Sequence, residues 1–204
     1  MSISMRRFLP FLVALGLALY AGAVNAQALS LAQISNYLNQ LQTAQSGFTQ
    51  INPDGTLSTG TVYIKRPGRI RFEYAPPERS MVIAGGGQVA VFDPRSNTGP
   101  DRYPLNQTPL NIMLERNVNL GRAGMVTGHT SDGNTTTVTA QDPAHPEYGS
   151  IQMVFTADPV ELRQWIVTDD TGSQTTIVLN DLRAGGGLND ILFNIQAEMR
   201  KWGG

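Results

Sequence analysis

The chain has 204 residues, no cysteine, and a formal net charge of −1 from 15 Lys and Arg residues against 16 Asp and Glu residues. This balance excludes the basic surface that a nucleic-acid binder needs, and the lack of cysteine excludes disulfides, thiolate metal sites and lipidation of a cysteine. Only 15% of the residues are charged while 21 are glycine and 12 are proline, a composition that favours many short strands and turns over long helices.

The segment 1–26 is typical of an export signal, in which two arginines precede an apolar run over residues 8–24. Proline and glycine interrupt that run, which makes it a poor permanent membrane anchor. Small residues at Ala26 and Ala28 predict cleavage after one or the other. We therefore expect residues 27–204 to form a single domain that is free in the periplasm.

The next segment is predicted to be a helix, because its apolar residues recur at three- and four-residue spacing. Ser30 followed by Gln33 matches a capping box, in which each side chain satisfies a backbone N–H at the helix start. Gly47 is expected to end the helix, and Phe48 to begin an extended run. The apolar positions of the helix are Leu31, Ile34, Leu38 and Leu41.

Antiparallel strands are predicted from Phe48 to about Asp93. Between residues 69 and 74 charged and apolar side chains alternate, so that one face of the strand is polar and the other is apolar. The Pro-Gly pair at 67–68 and the glycine triplet at 85–87 indicate tight turns between strands.

A polar, proline-bearing stretch without periodicity runs from Pro94 to Pro109 and predicts a long irregular connection. A short helix is predicted to follow, with Thr108 as its N-cap and Pro109 at its first position. Because the connection before it is loose, this helix could act as a lid over the sheet. The apolar edge of this helix comprises Leu110, Met113 and Leu114. Later strands are predicted at 135–140, 150–157, 162–168 and 175–182, with a further short strand at 191–195.

Reactive groups are scarce in this sequence, and no pattern of catalytic residues emerges. His129 and His145 lie among turn-forming residues, without the further histidine or cysteine that a metal site would need. Asp93, Asp169 and Asp170 are the only weak candidates for acid–base chemistry, and the last two lie in a predicted solvated turn. We predict no catalytic residue, no metal and no cofactor.

The apolar side of the sheet forms either an ordinary core or the wall of a cavity. A curved sheet of this many strands has a concave face too large for one or two short helices to fill, which favours a cavity. Three methionines add adaptable apolar surface, although methionine is equally common as core filler. They are Met81, Met113 and Met125.

Five short motifs occur in a fixed order along the chain. They are Phe48-Thr49-Gln50, the strand 60–66 ending in Lys65-Arg66-Pro67, the strand 69–74 with Pro76, Phe92-Asp93-Pro94, and Thr108-Pro109-Leu110. No single motif is specific, but the ordered set resembles the LolA family, the periplasmic lipoprotein carriers of Gram-negative bacteria. The strand pattern continues through Leu182, so the resemblance covers nearly all of residues 27–204.

The resemblance implies a mainly β fold with a helical lid: an incomplete antiparallel β-barrel, or single highly curved sheet, enclosing a hydrophobic cavity. Arg66 takes the place of the family's functional arginine, which would hydrogen-bond the lid in the empty, closed state. Ile70 and Phe72 fall on an apolar and an aromatic position of the following strand. The predicted acyl-contacting residues are Phe48, Val62, Ile64, Ile70, Phe72, Tyr74, Met81, Ile83 and Phe92, beneath a lid that carries Leu110, Met113 and Leu114.

By the same resemblance, the protein would bind the acyl chains of lipoproteins and shuttle them from the inner to the outer membrane as a monomer. It would receive them from an inner-membrane ABC-type release complex and deliver them to an outer-membrane acceptor or to the outer membrane itself. Residues 192–204 depart from the family, because they lack the Pro-Gly turn and the extra tail of many relatives. A periplasmic carrier or sensor of another lipid is therefore an alternative, and an envelope enzyme is a third.

Overall fold

One antiparallel sheet dominates the computed structural model, which describes residues 28–96 and 98–202. The predicted signal segment 1–26 lies outside the described residues. The strands are β1 (Thr43–Ile51), β2 (Leu57–Lys65), β3 (Ile70–Tyr74), β4 (Met81–Gly85), β5 (Gln88–Phe92), β6 (Asp101–Pro104), β7 (Val126–Ser131), β8 (Thr135–Gln141), β9 (Ser150–Ala157), β10 (Val160–Thr168), β11 (Gln174–Leu179) and β12 (Arg183–Ala184).

The sheet has two free edges. Its strands follow the order β6-β5-β4-β3-β2-β1-β11-β10-β9-β8-β7, and β12 pairs with the start of β1. Among the described residues β6 and β7 do not pair with each other, so the sheet is open and not closed into a barrel. The predicted mainly β fold built on an incomplete antiparallel barrel is confirmed.

Strand register decides which side chains share a face of the sheet. In β8 and β9 every second residue is buried, and the buried residues pair across the strands, as Val138 does with Met153 and Ala140 with Ile151. This alternation is what a strand with one packed and one solvated face requires. We call the face that carries Val138 and Met153 the inner face, and the opposite one the outer face.

Two helices cover the inner face and one covers the outer face. Helix α1 (Leu31–Gln40) and helix α2 (Leu110–Leu114) pack into the inner core, whereas α3 (Ile195–Trp202) packs on β4 and β5 from outside. The predicted capping box is confirmed, since Ser30 Oγ accepts from Gln33 N at 3.2 Å and Gln33 Oε1 accepts from Ser30 N at 2.9 Å. None of the helices within residues 28–96 and 98–202 is both long and apolar enough to cross a membrane.

Three local expectations were wrong. Helix α1 ends at Gln40, and Gly47 lies inside β1 opposite Thr61, because pairing with β2 begins already at Thr43. The predicted irregular stretch 94–109 contains β6, which pairs with β5. Thr108 does not cap α2: its hydroxyl donates to the carbonyl of Leu105 at 2.8 Å, and Pro109 is the N-cap residue.

The predicted strand at 191–195 is also wrong. The chain forms a 3-10 turn over Asp190–Phe193 and then enters α3 at Ile195. Asn189 Oδ1 accepts from Ile191 N at 3.0 Å, and Asn194 Oδ1 accepts from Ala197 N at 2.8 Å. Each asparagine thus satisfies a backbone donor at the start of a helical turn, a local signal that outweighs a short apolar run.

The inner face is filled in this structure. Ile34 and Leu38 of α1 and Val62 and Ile64 of β2 are each 0% exposed, so no water-sized space adjoins these side chains. The expectation that short helices could not fill the concave face is therefore corrected, because α1, α2 and the segment 115–125 fill it together.

Candidate functional site

The inner face gathers six of the predicted acyl-contacting residues around Phe48. The ring centroid of Phe48 lies 5.4 Å from that of Phe72 and 5.2 Å from that of Tyr74, both edge to face. The ring of Phe72 lies 6.2 Å from that of Trp165 on β10. The result is a continuous apolar surface across the middle of the sheet. The six residues are Phe48, Val62, Ile64, Ile70, Phe72 and Tyr74.

Tyr74 carries the polar group of this aromatic cluster. Its hydroxyl donates to Gln50 Oε1 at 2.6 Å. Burial, together with the charge of Glu78, raises the pKa of Tyr74 to about 12. The phenol therefore stays neutral at physiological pH, as an apolar surface requires.

The other three predicted contacts lie on the outer face, which corrects their assignment. Met81, Ile83 and Phe92 form a separate cluster with Ala90 and Ile195. The reason is the register between β3 and β4. Phe72 pairs with Val82, and Ile70 pairs with Ala84. Val82 therefore shares the inner face with Phe72, and Ile83 must point the other way.

The predicted lid residues do pack on the inner face. Met113 and Leu114 are each 1% exposed, and Leu110 is partly buried against the same core. The segment after α2 adds Val118, Leu120 and Met125 to the cover. A groove of about 600 Å³ beside the start of α2 is lined in part by Tyr103, Pro109, Tyr148 and Val167.

Arg66 joins the end of β2 to this cover. Its Nη2 donates to the backbone carbonyl of Glu115, the residue that ends α2, and to Asn39 Oδ1 at 3.3 Å. The neighbouring Gly68 N donates to the carbonyl of Leu114 at 2.9 Å. The turn after β2 therefore holds the C-terminal end of α2 by hydrogen bonds to two successive carbonyls.

The guanidinium of Arg66 is incompletely compensated. The residue is 4% exposed, and its Nε and Nη1 have no hydrogen-bond partner among the described residues. Burial lowers the pKa of Arg66, while the nearby charge of Glu115 acts in the opposite direction. A buried cation with unsatisfied donors is costly, so the closed arrangement stabilises less than a fully bonded one would.

Sequence reasoning missed the part that α1 plays in this contact. Asn39 Oδ1 also accepts from Val118 N at 2.9 Å, and Asn39 Nδ2 donates to Val118 O at 2.9 Å. One turn earlier, Ser35 Oγ accepts from Leu120 N at 3.1 Å. The apolar stripe of α1 could have identified it as part of the cover, but no sequence pattern marks Asn39.

The weak acid–base candidates are used in local turns. Asp169 accepts from the hydroxyl and backbone N–H of Thr171, and the hydroxyl contact is first among the causes that lower the pKa of Asp169. A hydrogen bond from Arg95 lowers the pKa of Asp93 in the same way. Each of these carboxylates stabilises its own turn.

Of the two histidines, His145 makes a local contact, whereas His129 lies in β7 and contacts the start of the described chain. Nε2 of His129 lies 2.8 Å from the carbonyl of Leu29, and Nδ1 of His145 lies 2.9 Å from Glu147 Oε1. Within the described part of the chain, no group of three or more His, Cys, Asp or Glu side chains could hold a metal ion.

Comparison of the sequence with a family model and with curated proteins gives one description. The sequence matches the family model described as outer membrane lipoprotein carrier protein LolA over residues 39–196. It is 29% identical to an outer-membrane lipoprotein carrier protein of Coxiella burnetii (strain RSA 331), over 82% of this chain and 79% of that protein. With the protein of the same name from Pseudomonas putida (strain GB-1) it shares 25% identity over 93% of each chain.

Two further similarities are shorter or more distant. An outer-membrane lipoprotein carrier protein of Methylococcus capsulatus is 30% identical, but the match spans only 41% of this chain and 42% of that protein. Among solved structures, a LolA superfamily protein from Nitrosomonas europaea aligns with a TM-score of 0.43 and 15% identity, over 82% of this chain and 98% of that one.

Proposed function

Because the chain belongs to the LolA family, described as outer membrane lipoprotein carrier proteins, we propose that it carries lipoproteins by binding their acyl chains against the inner face of its sheet. The observation that carries this proposal is an apolar inner face whose helical cover is joined to the end of β2 by the buried Arg66. Catalysis has no part in the role, and neither has a cofactor.

Acyl chains need such a carrier for a physical reason. Each CH₂ group moved out of water contributes about 0.8 kcal/mol, so several long chains cannot cross an aqueous compartment unshielded. The inner face offers aromatic and aliphatic side chains in a continuous surface, with Phe48, Phe72 and Trp165 at its centre. That surface can receive a guest only if its cover moves, because the cover now fills the available space.

The cover is suited to moving. Its attachment at Arg66 consists of hydrogen bonds from Nη2, and two other donors of the same side chain are unsatisfied. Hydrogen bonds to charged groups contribute about 1.5–3 kcal/mol each, which entering acyl chains can outweigh. We propose that α2 and the segment 115–125 swing away from β2 when cargo enters, and return when it leaves.

The setting follows from the same proposal. After loss of residues 1–26 the protein acts in the periplasm, between an inner-membrane ABC-type release complex and an outer-membrane acceptor or the outer membrane itself. A carrier must release what it binds, so the free energy of the closed, empty state has to lie close to that of the open, loaded state. Closure of the apolar face after release supplies that driving force.

The two tryptophans of the chain provide the test. Trp165 lies on the inner face and is 1% exposed, whereas Trp202 lies on the outer face beside Phe92 and is 36% exposed. A brominated fatty acyl chain should quench the emission of Trp165 in the Trp202→Phe variant. It should leave the emission of Trp202 unchanged in the Trp165→Phe variant.

Substitution of the arginine extends this experiment. Arg66→Leu should raise the apparent affinity for the brominated chain, because it removes a contact made only in the closed state. Arg95→Leu, which alters a highly exposed arginine in a surface turn, is the matched control and should change nothing. Failure of the acyl chain to quench Trp165 in either background would overturn the carrier role.

A further inference from the structure

Arg66 stands at the rim of an apolar row on the inner face. Burial alternates along the end of β2: Val62, Ile64 and Arg66 are buried, whereas Tyr63 and Lys65 are less buried. The ladder also continues, since Arg66 N donates to Gln42 O at 2.8 Å. The guanidinium thus shares a face with the aliphatic row and terminates it.

Only part of the guanidinium is used by the closed cover. An arginine side chain presents five N–H donors and no acceptor. The two observed partners, Asn39 Oδ1 and the Glu115 carbonyl, both accept from Nη2, while Nε and Nη1 have none among the described residues. Buried donors of this kind favour any ligand that brings an oxygen to them.

An acyl chain attached to a head group has this combination of chemistry. It consists of methylene groups that suit the row of Val62 and Ile64, followed at one end by the carbonyl oxygen of an ester or amide. We propose that Arg66 has a second role in the open state: it binds the acyl carbonyl oxygen of the cargo and so fixes the depth to which the chain enters. This inference rests on the proposed carrier function and names the group of the ligand that Arg66 binds.

Arg66 would thus affect ligand binding in two ways. As a contact to the cover, Arg66 changes the fraction of open molecules and so changes the affinity for every ligand by the same factor. As a carbonyl-binding group, it changes the affinity only for ligands that have a carbonyl. The ratio of the dissociation constants of two matched ligands cancels the first effect and isolates the second.

The matched ligands are a short-chain diacylglycerol and its ether-linked dialkyl analogue of the same chain length, which lacks both carbonyls. Competition against the brominated acyl chain gives both dissociation constants from Trp165 emission. The wild type should bind the ester about tenfold more tightly than the ether, the gain expected from one hydrogen bond to a charged donor. In Arg66→Leu the affinity for the ether should rise, the ester should lose the contribution of its carbonyl, and the ratio should fall to about one.

Asn39→Ala is the matched variant, because it loosens the same closed contact while keeping the guanidinium. It should raise both affinities and preserve the preference for the ester. Arg66→Met, which also lacks an N–H donor, gives a second substitution should Arg66→Leu fold poorly, and thermal unfolding monitors the fold of each variant.

The possible results test carbonyl recognition by Arg66 and the carrier function separately. An unchanged ester-to-ether ratio in Arg66→Leu and Arg66→Met overturns carbonyl recognition and leaves the carrier role standing. If the ester-to-ether ratio fell to about one in Asn39→Ala as well, the preference for the ester would come from the cover and not from the guanidinium, which would overturn the inference. Absence of binding by both ligands in every variant overturns the carrier role, and this inference with it.

Discussion

Arg71 on β3 and Glu198 on α3 form an ion pair of 3.2 Å in which both side chains are only 7% exposed. The same guanidinium donates to Glu73 at 2.6 Å and to the carbonyl of Leu192 at 2.9 Å. Lys201 adds a second cation to Glu198 at 3.1 Å. The C-terminal helix is therefore fixed to the outer face by a bonded charge network as well as by apolar contacts.

Removing Glu198 should destabilise the protein strongly. Glu198→Ala removes the partner of the buried Arg71 on α3, while Glu73 and the carbonyl of Leu192 still accept from that guanidinium. The loss should therefore be about 1.5–3 kcal/mol, the contribution of a hydrogen bond to a charged group. Lys201→Ala removes the exposed partner of the same carboxylate and should cost under about 1 kcal/mol. Urea unfolding at neutral pH measures both, and equal losses would contradict the buried pair as the main anchor of α3.

This stabilisation should also depend on pH. Burial alone raises the pKa of Glu198, but the hydrogen bonds and charges of Lys201 and Arg71 outweigh it, and the net pKa lies below the ordinary value of 4.5. A lowered pKa in the folded state means that the contribution is complete above pH 4.5 and is lost as the pH falls below it. The difference in unfolding free energy between wild type and Glu198→Gln should accordingly shrink on acidification.

The two faces of the sheet should respond differently to equivalent truncations. Ile64→Ala and Ile83→Ala each remove a fully buried side chain and should each cost about 2–5 kcal/mol in unfolding free energy. Only Ile64 contacts the inner core, so only Ile64→Ala should alter quenching of Trp165 by the brominated acyl chain. An equal effect of Ile83→Ala on that quenching would contradict the assignment of Ile83 to the outer face.

Tyr74 should make the stability sensitive to alkaline pH. Its pKa is raised from 10.0 to about 12, so its contribution is complete below pH 10 and is lost as the pH rises toward 12. Tyr74→Phe should cost about 1 kcal/mol at neutral pH, from the lost hydrogen bond to Gln50, and should flatten the alkaline decline. Tyr103→Phe, at an exposed tyrosine, is the control, and denaturation at several pH values is the measurement.

The buried position of Leu29 should determine where the signal segment is cleaved. Its backbone N–H donates to Thr136 Oγ1 at 2.9 Å, in a site where the two residues are 4% and 1% exposed. Cleavage after Ala28 would convert this amide into a charged amino group that has to be desolvated there. We expect cleavage after Ala26, so that the exported protein begins at Gln27. N-terminal sequencing checks this, and a chain beginning at Leu29 would contradict it.

Several features could be read from the sequence because their causes are local. The capping box of α1 depends on residues three positions apart, and the turns at Pro67-Gly68 and at the glycine triplet depend on adjacent residues. The ordered motifs led to the family and the open sheet by resemblance, since each motif is a short run of adjacent residues. Arg66 was found only through that resemblance, because an isolated arginine has no pattern of its own.

The faces of β4 and β5 could not be read in this way. The sequence of β4 is apolar on both sides, so alternation does not say which residues face inward. Pairing with β3 decides it, and a shift by one residue would exchange Val82 and Ile83 between the faces. The three misplaced acyl contacts, Met81, Ile83 and Phe92, all result from this ambiguity.

Alternation and turn residues were enough to predict the class of fold, because both are properties of neighbouring residues. The ordered motifs led to the family by resemblance, and Arg66 was identified through that resemblance alone. Folding adds three features that no such pattern contains: the inner face is filled, Asn39 joins α1 to Arg66, and α3 covers the outer face. Each of these depends on contacts between segments far apart in the chain. Such contacts are set by register and packing, which no local pattern encodes.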